Sequence, residues 1–74
     1  MDSFYQQIYK ECEKFLGNKT REFLNRQIEG HLNIKPEDIQ PADKETLMKW
    51  LKISVSLYKG REKSDELMKR LKGV

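Results

Sequence analysis

The chain has 74 residues, of which 36% are hydrophobic and 36% are charged. A chain of this length supports one small core, so we expect a single helical domain over residues 1–74 with a net stability of about 3–5 kcal/mol. No apolar run is longer than two residues, which excludes a membrane span and a signal-peptide core. Lys and Arg number 15 against 12 Asp and Glu, for a net charge of +3. The lone cysteine excludes an internal disulfide and favours a cytoplasmic protein.

The first predicted helix covers about residues 3–16. Ser3 followed by Gln6 is a capping-box pattern that begins a helix, and Gly17 is a suitable residue to end it. The apolar stripe of this helix is wide, because aromatic residues lie beside the main stripe. Its members are Phe4, Tyr5, Ile8, Tyr9, Cys12, Phe15 and Leu16.

The second predicted helix is capped by Asn18 or Thr20 and runs to about residue 32. Pro36 and Pro41 then exclude a continuous helix, because each lacks a backbone donor and disfavours helix in the preceding residue. We predict a connection that contains these prolines and a short helical turn near 36–39. Two residues of this connection are expected to pack back onto the helices: Ile34 and Ile39.

The third predicted helix, residues 44–58, carries apolar side chains around most of its circumference. The apolar residues on and around its main stripe are Leu47, Met48, Trp50, Leu51, Ile53, Val55, Leu57 and Tyr58. A helix of this kind is normally enclosed by others, so we expect it in the middle of the molecule with Trp50 buried. Asp43 is predicted as its N-cap and Gly60 as its end.

The fourth predicted helix starts at Ser64. Acidic residues follow in its first turn and basic residues occupy its last turn, which complements the helix dipole at both ends. The sequence therefore predicts an all-α fold, a small four-helix bundle. Its two helical hairpins, 3–32 and 44–73, are joined by the proline-containing connection.

Catalytic and ligand-binding patterns are weak. Cys12 with His31 is one candidate nucleophile and base, but Cys12 is mid-helix and a free cysteine is usually a small buried side chain. Trp50 and Tyr58 could form the floor of a ligand groove, although core packing explains their spacing better. We therefore expect no enzymatic activity, no cofactor and no metal.

The wide aromatic stripe of the first helix favours a protein-binding function. One neighbouring helix does not need so wide a stripe, so Phe4, Tyr5 and Tyr9 are the predicted anchors for a partner. The expected function is a small protein-interaction or regulatory module. Its partner is either another protein or a second copy of the chain, in which case it forms a homodimer.

The alternative is a small DNA- or RNA-binding regulator that uses a basic helical face. Residues 38–74 hold nine bases and six acids, which is the whole of the positive excess. Four bases of the chain have an acid four residues earlier, the order that stabilises a solvated helix face: Arg26, Lys49, Lys69 and Arg70. The residues of the candidate nucleic-acid face are Arg21, Asn25, Arg26, Lys59, Arg61, Lys63, Lys69 and Arg70.

Overall fold

A computed structural model describes residues 3–74, and within that range all regular secondary structure is helical, as predicted. The α-helices are α1 (Phe4–Leu16), α2 (Thr20–Gln27), α3 (Lys44–Lys59) and α4 (Arg61–Leu71). None of the helices between residues 3 and 74 is long and apolar enough to cross a bilayer.

Helix α1 begins and ends as predicted. The Gln6 backbone N–H donates to Ser3 Oγ at 3.2 Å, and the Ser3 N–H donates to Gln6 Oε1 at the same 3.2 Å. This reciprocal pair satisfies two donors that the first turn would otherwise leave free. Gly17 ends the helix with φ of 57°, a value that glycine adopts without the steric cost that a side chain brings.

Helix α2 is shorter than predicted, because residues 17–32 change helix type twice. A 3₁₀ turn, Gly17–Lys19, precedes α2, and a π-helical segment, Ile28–Leu32, follows it. The predicted side-chain cap is wrong: no side chain caps α2, and the Thr20 hydroxyl instead donates to the Gly17 carbonyl oxygen at 2.7 Å. The chain leaves the helix at Asn33, which has a left-handed φ of 60°.

The connection between the two halves contains two 3₁₀ turns. The first, Pro36–Asp38, confirms the predicted turn, and the second is Pro41–Asp43. Asp43 stands at the N-cap position of α3, but its Oδ2 accepts the Gln40 N–H at 3.0 Å and makes no capping bond to α3. The carboxylate therefore closes the preceding turn. Ile39 is only 5% exposed, so the connection does pack onto the core.

Helices α3 and α4 form a tight hairpin around Gly60, whose φ is 97°. The predicted start of α4 at Ser64 is wrong, because the helix begins at Arg61 directly after Gly60. Ser64 lies inside α4, fully buried, and its hydroxyl donates to the Lys52 carbonyl oxygen of α3 at 2.9 Å. At the other end of the hairpin, Lys44 Nζ donates to the Val74 carbonyl oxygen at 2.9 Å.

The core lies between the four α-helices: α2 and α4 pack on one face of α3, and α1 packs on α2 and α4. Leu47, Leu51 and Val55 form that face of α3 and are fully buried. The side chains of the other elements that complete the core are Ile8, Cys12, Leu16, Leu24, Ile28, Ile39, Leu67, Met68 and Leu71.

The prediction that α3 is enclosed on all sides is wrong. Ile53 is 47% exposed, Leu57 is 85% exposed and Tyr58 is 53% exposed, and Trp50 is half-buried. The physical reason is that 3.6 residues complete a turn, so neighbours on one side of α3 cover only the residues that recur with Leu47, Leu51 and Val55. The opposite side of α3 faces solvent.

Candidate protein-interaction surface

Three apolar side chains form a line along the solvent side of α3. Trp50, Ile53 and Leu57, called here the α3 strip, are spaced i, i+3 and i+7 and therefore share one helix face. Thr46 before them and Gly60 after them continue the same alternation of four and three. This spacing is that of the a and d positions through which one helix packs against another.

The first member of the strip is held by a ring stack. The indole of Trp50 lies parallel to the imidazole of His31, with 4.0 Å between centroids and 6° between planes. Next to this contact, Ser54 Oγ donates to Gln27 Oε1 at 2.9 Å. Together these contacts fix the strip against α2 and its π-helical extension, so that the strip is presented by a supported helix.

A second aromatic pair lies at the C-terminal end of the strip. The rings of Phe23 on α2 and Tyr58 on α3 are 5.8 Å apart between centroids, with planes tilted by 30°. They line a shallow open groove of about 310 Å³, here called the Phe23–Tyr58 groove. Tyr58 is turned by about 100° around α3 from Leu57, toward α2, so this groove lies beside the α3 strip on its α2 side.

The edge of this surface is mainly basic. Lys49 Nζ lies 5.8 Å from the centroid of Trp50, and Lys59 Nζ lies 5.1 Å from that of Tyr58. The charged residues that line the Phe23–Tyr58 groove are Lys19, Glu22 and Arg26. Four cations and one anion thus border the aromatic side chains. Such an edge favours an acidic partner over a basic one.

The anchors predicted on α1 are less exposed than Ile53 and Leu57 of the α3 strip. Phe4, Tyr5 and Tyr9 are all half-buried and pack against the core. Tyr5 and Tyr9 have ring centroids 6.0 Å apart, and the Tyr5 hydroxyl donates to Asn25 Oδ1 at 2.7 Å. Burial is the main cause that raises the pKa of Tyr5, which keeps the phenol protonated as that donor. Tyr5 and Tyr9 also line an open groove of about 400 Å³.

The residues of the predicted nucleic-acid face are distributed over several surfaces. Arg21 and Asn25 line a groove with Tyr5, whereas Arg26 lines the Phe23–Tyr58 groove. Lys69 lines a groove between α3 and α4, and Arg70 lies 3.6 Å from Glu11. Arg61 and Lys63 are exposed on the first turn of α4. Two pairs of these residues lie near aromatic side chains: Arg21 and Asn25 beside Tyr5, and Arg26 and Lys59 beside the Phe23–Tyr58 pair.

Cys12 and His31 occupy different environments. Cys12 is fully buried in the core, and burial raises the pKa of its thiol to about 12, with the neighbouring Glu11 carboxylate acting in the same direction. His31 is exposed and stacks on Trp50. A catalytic thiol needs a lowered pKa and an adjacent base, so this cysteine has the properties of a packing residue.

Between residues 3 and 74, no group of three or more His, Cys, Asp or Glu side chains is arranged to hold a metal ion. The chain matches no protein-family model, no curated protein and no solved structure. The sequence signal for the α3 strip was the spacing of residues 46, 50, 53 and 57, which is distinct from the buried stripe of the same helix.

Proposed function

We propose that this protein is a small interaction module that binds another protein through the α3 strip. The observation that carries the proposal is Leu57, a large aliphatic side chain that is 85% exposed beside the exposed Ile53. Single exposed apolar residues are common, but an aligned set with a polar border is typical of a binding surface. Burial of Leu57 alone against a partner would stabilise a complex by about 1.5–3 kcal/mol before association costs.

The shape of the surface favours a protein over a small ligand. Small-molecule sites are concave and bury most of the ligand. The α3 strip lies on the convex side of a helix, and the Phe23–Tyr58 groove beside it is open. A macromolecular partner can cover both at once, as one helix covers another.

The proposal is tested by replacing the two most exposed members of the strip, in Ile53→Gln/Leu57→Gln. Glutamine is neutral and forms helices well, so the variant should keep its fold. Wild type and variant are compared by sedimentation and by affinity capture from lysate, with Lys63→Gln as a control on α4. Self-association or a captured protein that the double variant loses and the control retains supports the proposal. A strict monomer with no such protein contradicts it.

We also propose three details predicted from the sequence, which concern the helix arrangement, a second contact area and the cellular location. The arrangement of two hairpins as a four-helix bundle is supported by the tight α3–α4 turn at Gly60. A contact area around Phe4, Tyr5 and Tyr9 is supported by the open groove that Tyr5 and Tyr9 line. A cytoplasmic location is supported by the free thiol of Cys12, since reducing compartments preserve free cysteines.

A nucleic-acid regulator is the second candidate function. The observation that favours it is the placement of two cations near Tyr58: Arg26 lines the Phe23–Tyr58 groove and Lys59 lies over the Tyr58 ring. Cations beside an aromatic ring suit a phosphate backbone and a stacked base. Mobility-shift titrations at two salt concentrations test it. Binding through phosphates must weaken steeply as salt rises, and no binding at low salt excludes this function.

A further inference from the structure

We infer that the partner element is an amphipathic α-helix of another protein whose apolar face is bordered by acidic residues. This inference rests on the proposed function and specifies the occupant of the same surface. The α3 strip would contact the apolar face of that helix, and the cations around Trp50 and the Phe23–Tyr58 groove would contact its acids.

The spacing of the strip points to a helix. Trp50 and Leu57 are seven residues apart, which at 1.5 Å per residue is about 10.5 Å, or two helical turns. The alternating steps of three and four are the steps with which two helices interlock their side chains. An extended strand presents alternate residues at about 6.6 Å intervals and does not match this repeat.

The charges oppose a second copy of the chain as the occupant. Four cations and one anion border the aromatic side chains of this surface: Lys19, Arg26, Lys49 and Lys59 against Glu22. Because the border is the same in every copy, pairing two copies through this surface brings two mainly basic borders together. Acidic residues on a different partner complement these cations.

The composition of the strip also opposes a nucleic acid. Single-stranded nucleic acids gain much of their affinity from bases stacked on aromatic faces. The two most exposed members of the strip, Ile53 and Leu57, are aliphatic and have no such face. The indole of Trp50 is already stacked on His31. Aliphatic residues of this exposure are suited to the apolar face of a protein helix.

The inference is tested with two synthetic helical peptides that contain no tryptophan. Both carry leucines at a and d positions, and they differ only in having Glu or Lys at the flanking positions. Trp50 is the only tryptophan of the chain and lies in the strip, so its fluorescence reports binding directly. We expect the Glu peptide to bind at least about tenfold more tightly than the Lys peptide. Leu57→Gln should weaken binding of the Glu peptide.

Charge variants test the border of the surface. Arg26→Gln/Lys59→Gln removes two cations beside Tyr58, and we expect it to reduce the preference for the Glu peptide several-fold. The matched control is Lys69→Gln/Lys72→Gln, which removes two cations from the groove between α3 and α4. The control has the same net charge, so a preference that falls only in the first variant assigns the effect to the strip border.

Three results would overturn the inference. They are equal binding of the two peptides, a dimer that Leu57→Gln dissociates, and an oligonucleotide that binds more tightly than the Glu peptide. Equal binding would leave the proposed function intact provided that captured proteins still depend on Ile53 and Leu57. If Ile53→Gln/Leu57→Gln captures the same proteins as wild type, the proposed function fails as well.

Discussion

The imidazole of His31 lies flat on the indole of Trp50, with ring centroids 4.0 Å apart and planes within 6° of each other. His31 belongs to the π-helical segment after α2, and Trp50 lies in the middle of α3. The stack therefore joins the end of one helical segment to the centre of another. It also marks the boundary of the core, because the same indole is the first residue of the exposed α3 strip.

Replacement of Trp50 should have a moderate effect on stability. A fully buried tryptophan replaced by alanine costs about 3–5 kcal/mol, which would unfold a chain of this size. Trp50 is half-buried and one of its contacts is the exposed His31 ring, so we expect Trp50→Ala to cost only about 1–2 kcal/mol. Urea unfolding followed by circular dichroism measures this. A variant that is already unfolded without denaturant would show that the indole is enclosed.

Two leucines of α3 provide a matched pair. Leu51 is fully buried, whereas Leu57 is 85% exposed on the same helix. We expect Leu51→Ala to destabilise the fold by about 2–5 kcal/mol, since it removes buried methyl groups and leaves a cavity. Leu57→Ala should change stability by less than about 0.5 kcal/mol. The two variants are compared by thermal and urea unfolding, and similar losses in both would contradict the orientation of α3.

The orientation of α3 is also where sequence reasoning was least successful. The periodicity of residues 44–58 correctly predicted a helix and its ends. It could not predict which apolar residues have neighbours, because that depends on where α1, α2 and α4 lie. Treating every apolar residue as buried led to an enclosed helix. The structure separates them into a buried stripe that contains Leu51 and an exposed one that contains Leu57.

The ends of the helices also depend partly on local sequence and partly on tertiary packing. The capping box of Ser3 and Gln6 was predictable because both partners lie within one turn of chain. Ser64 has equally good capping chemistry, yet its hydroxyl donates to the Lys52 carbonyl oxygen of a different helix. Serine hydroxyls bond to any backbone group within reach, so the choice between a local and a distant acceptor is made by packing.

The buried thiol of Cys12 makes the free energy of unfolding depend on pH in the alkaline range. Burial raises its pKa to about 12 in the folded protein, whereas in an unfolded chain a cysteine titrates near about 8.5. The stability that the protonated thiol contributes is therefore fully present below the unfolded pKa and is lost as pH rises towards the folded pKa. We expect the free energy of unfolding to fall by roughly 2–3 kcal/mol between about pH 8 and about pH 10.5.

Denaturant unfolding at the two pH values measures this loss, and Cys12→Ala is the control for other groups that titrate in the same range. The alanine variant lacks the thiol, so its stability should fall less over the same interval. Only the difference between the two pH values is compared, because the substitution itself removes a buried atom. An equal fall in both proteins would show that the thiol does not contribute.

Gly60 and Gly30 differ in how much an added side chain would destabilise the protein. Gly60 has a φ of 97°, which L residues rarely adopt, whereas Gly30 lies in the π-helical segment without a positive φ and with open space where a Cβ would lie. Gly60→Ala should therefore destabilise the protein by about 1–2 kcal/mol by straining the α3–α4 turn. Gly30→Ala should be neutral or stabilising by up to about 1 kcal/mol, because alanine has less backbone entropy to lose. Melting temperatures of the two variants measure the contrast, and a Gly60→Ala protein as stable as wild type would contradict the strained turn between α3 and α4.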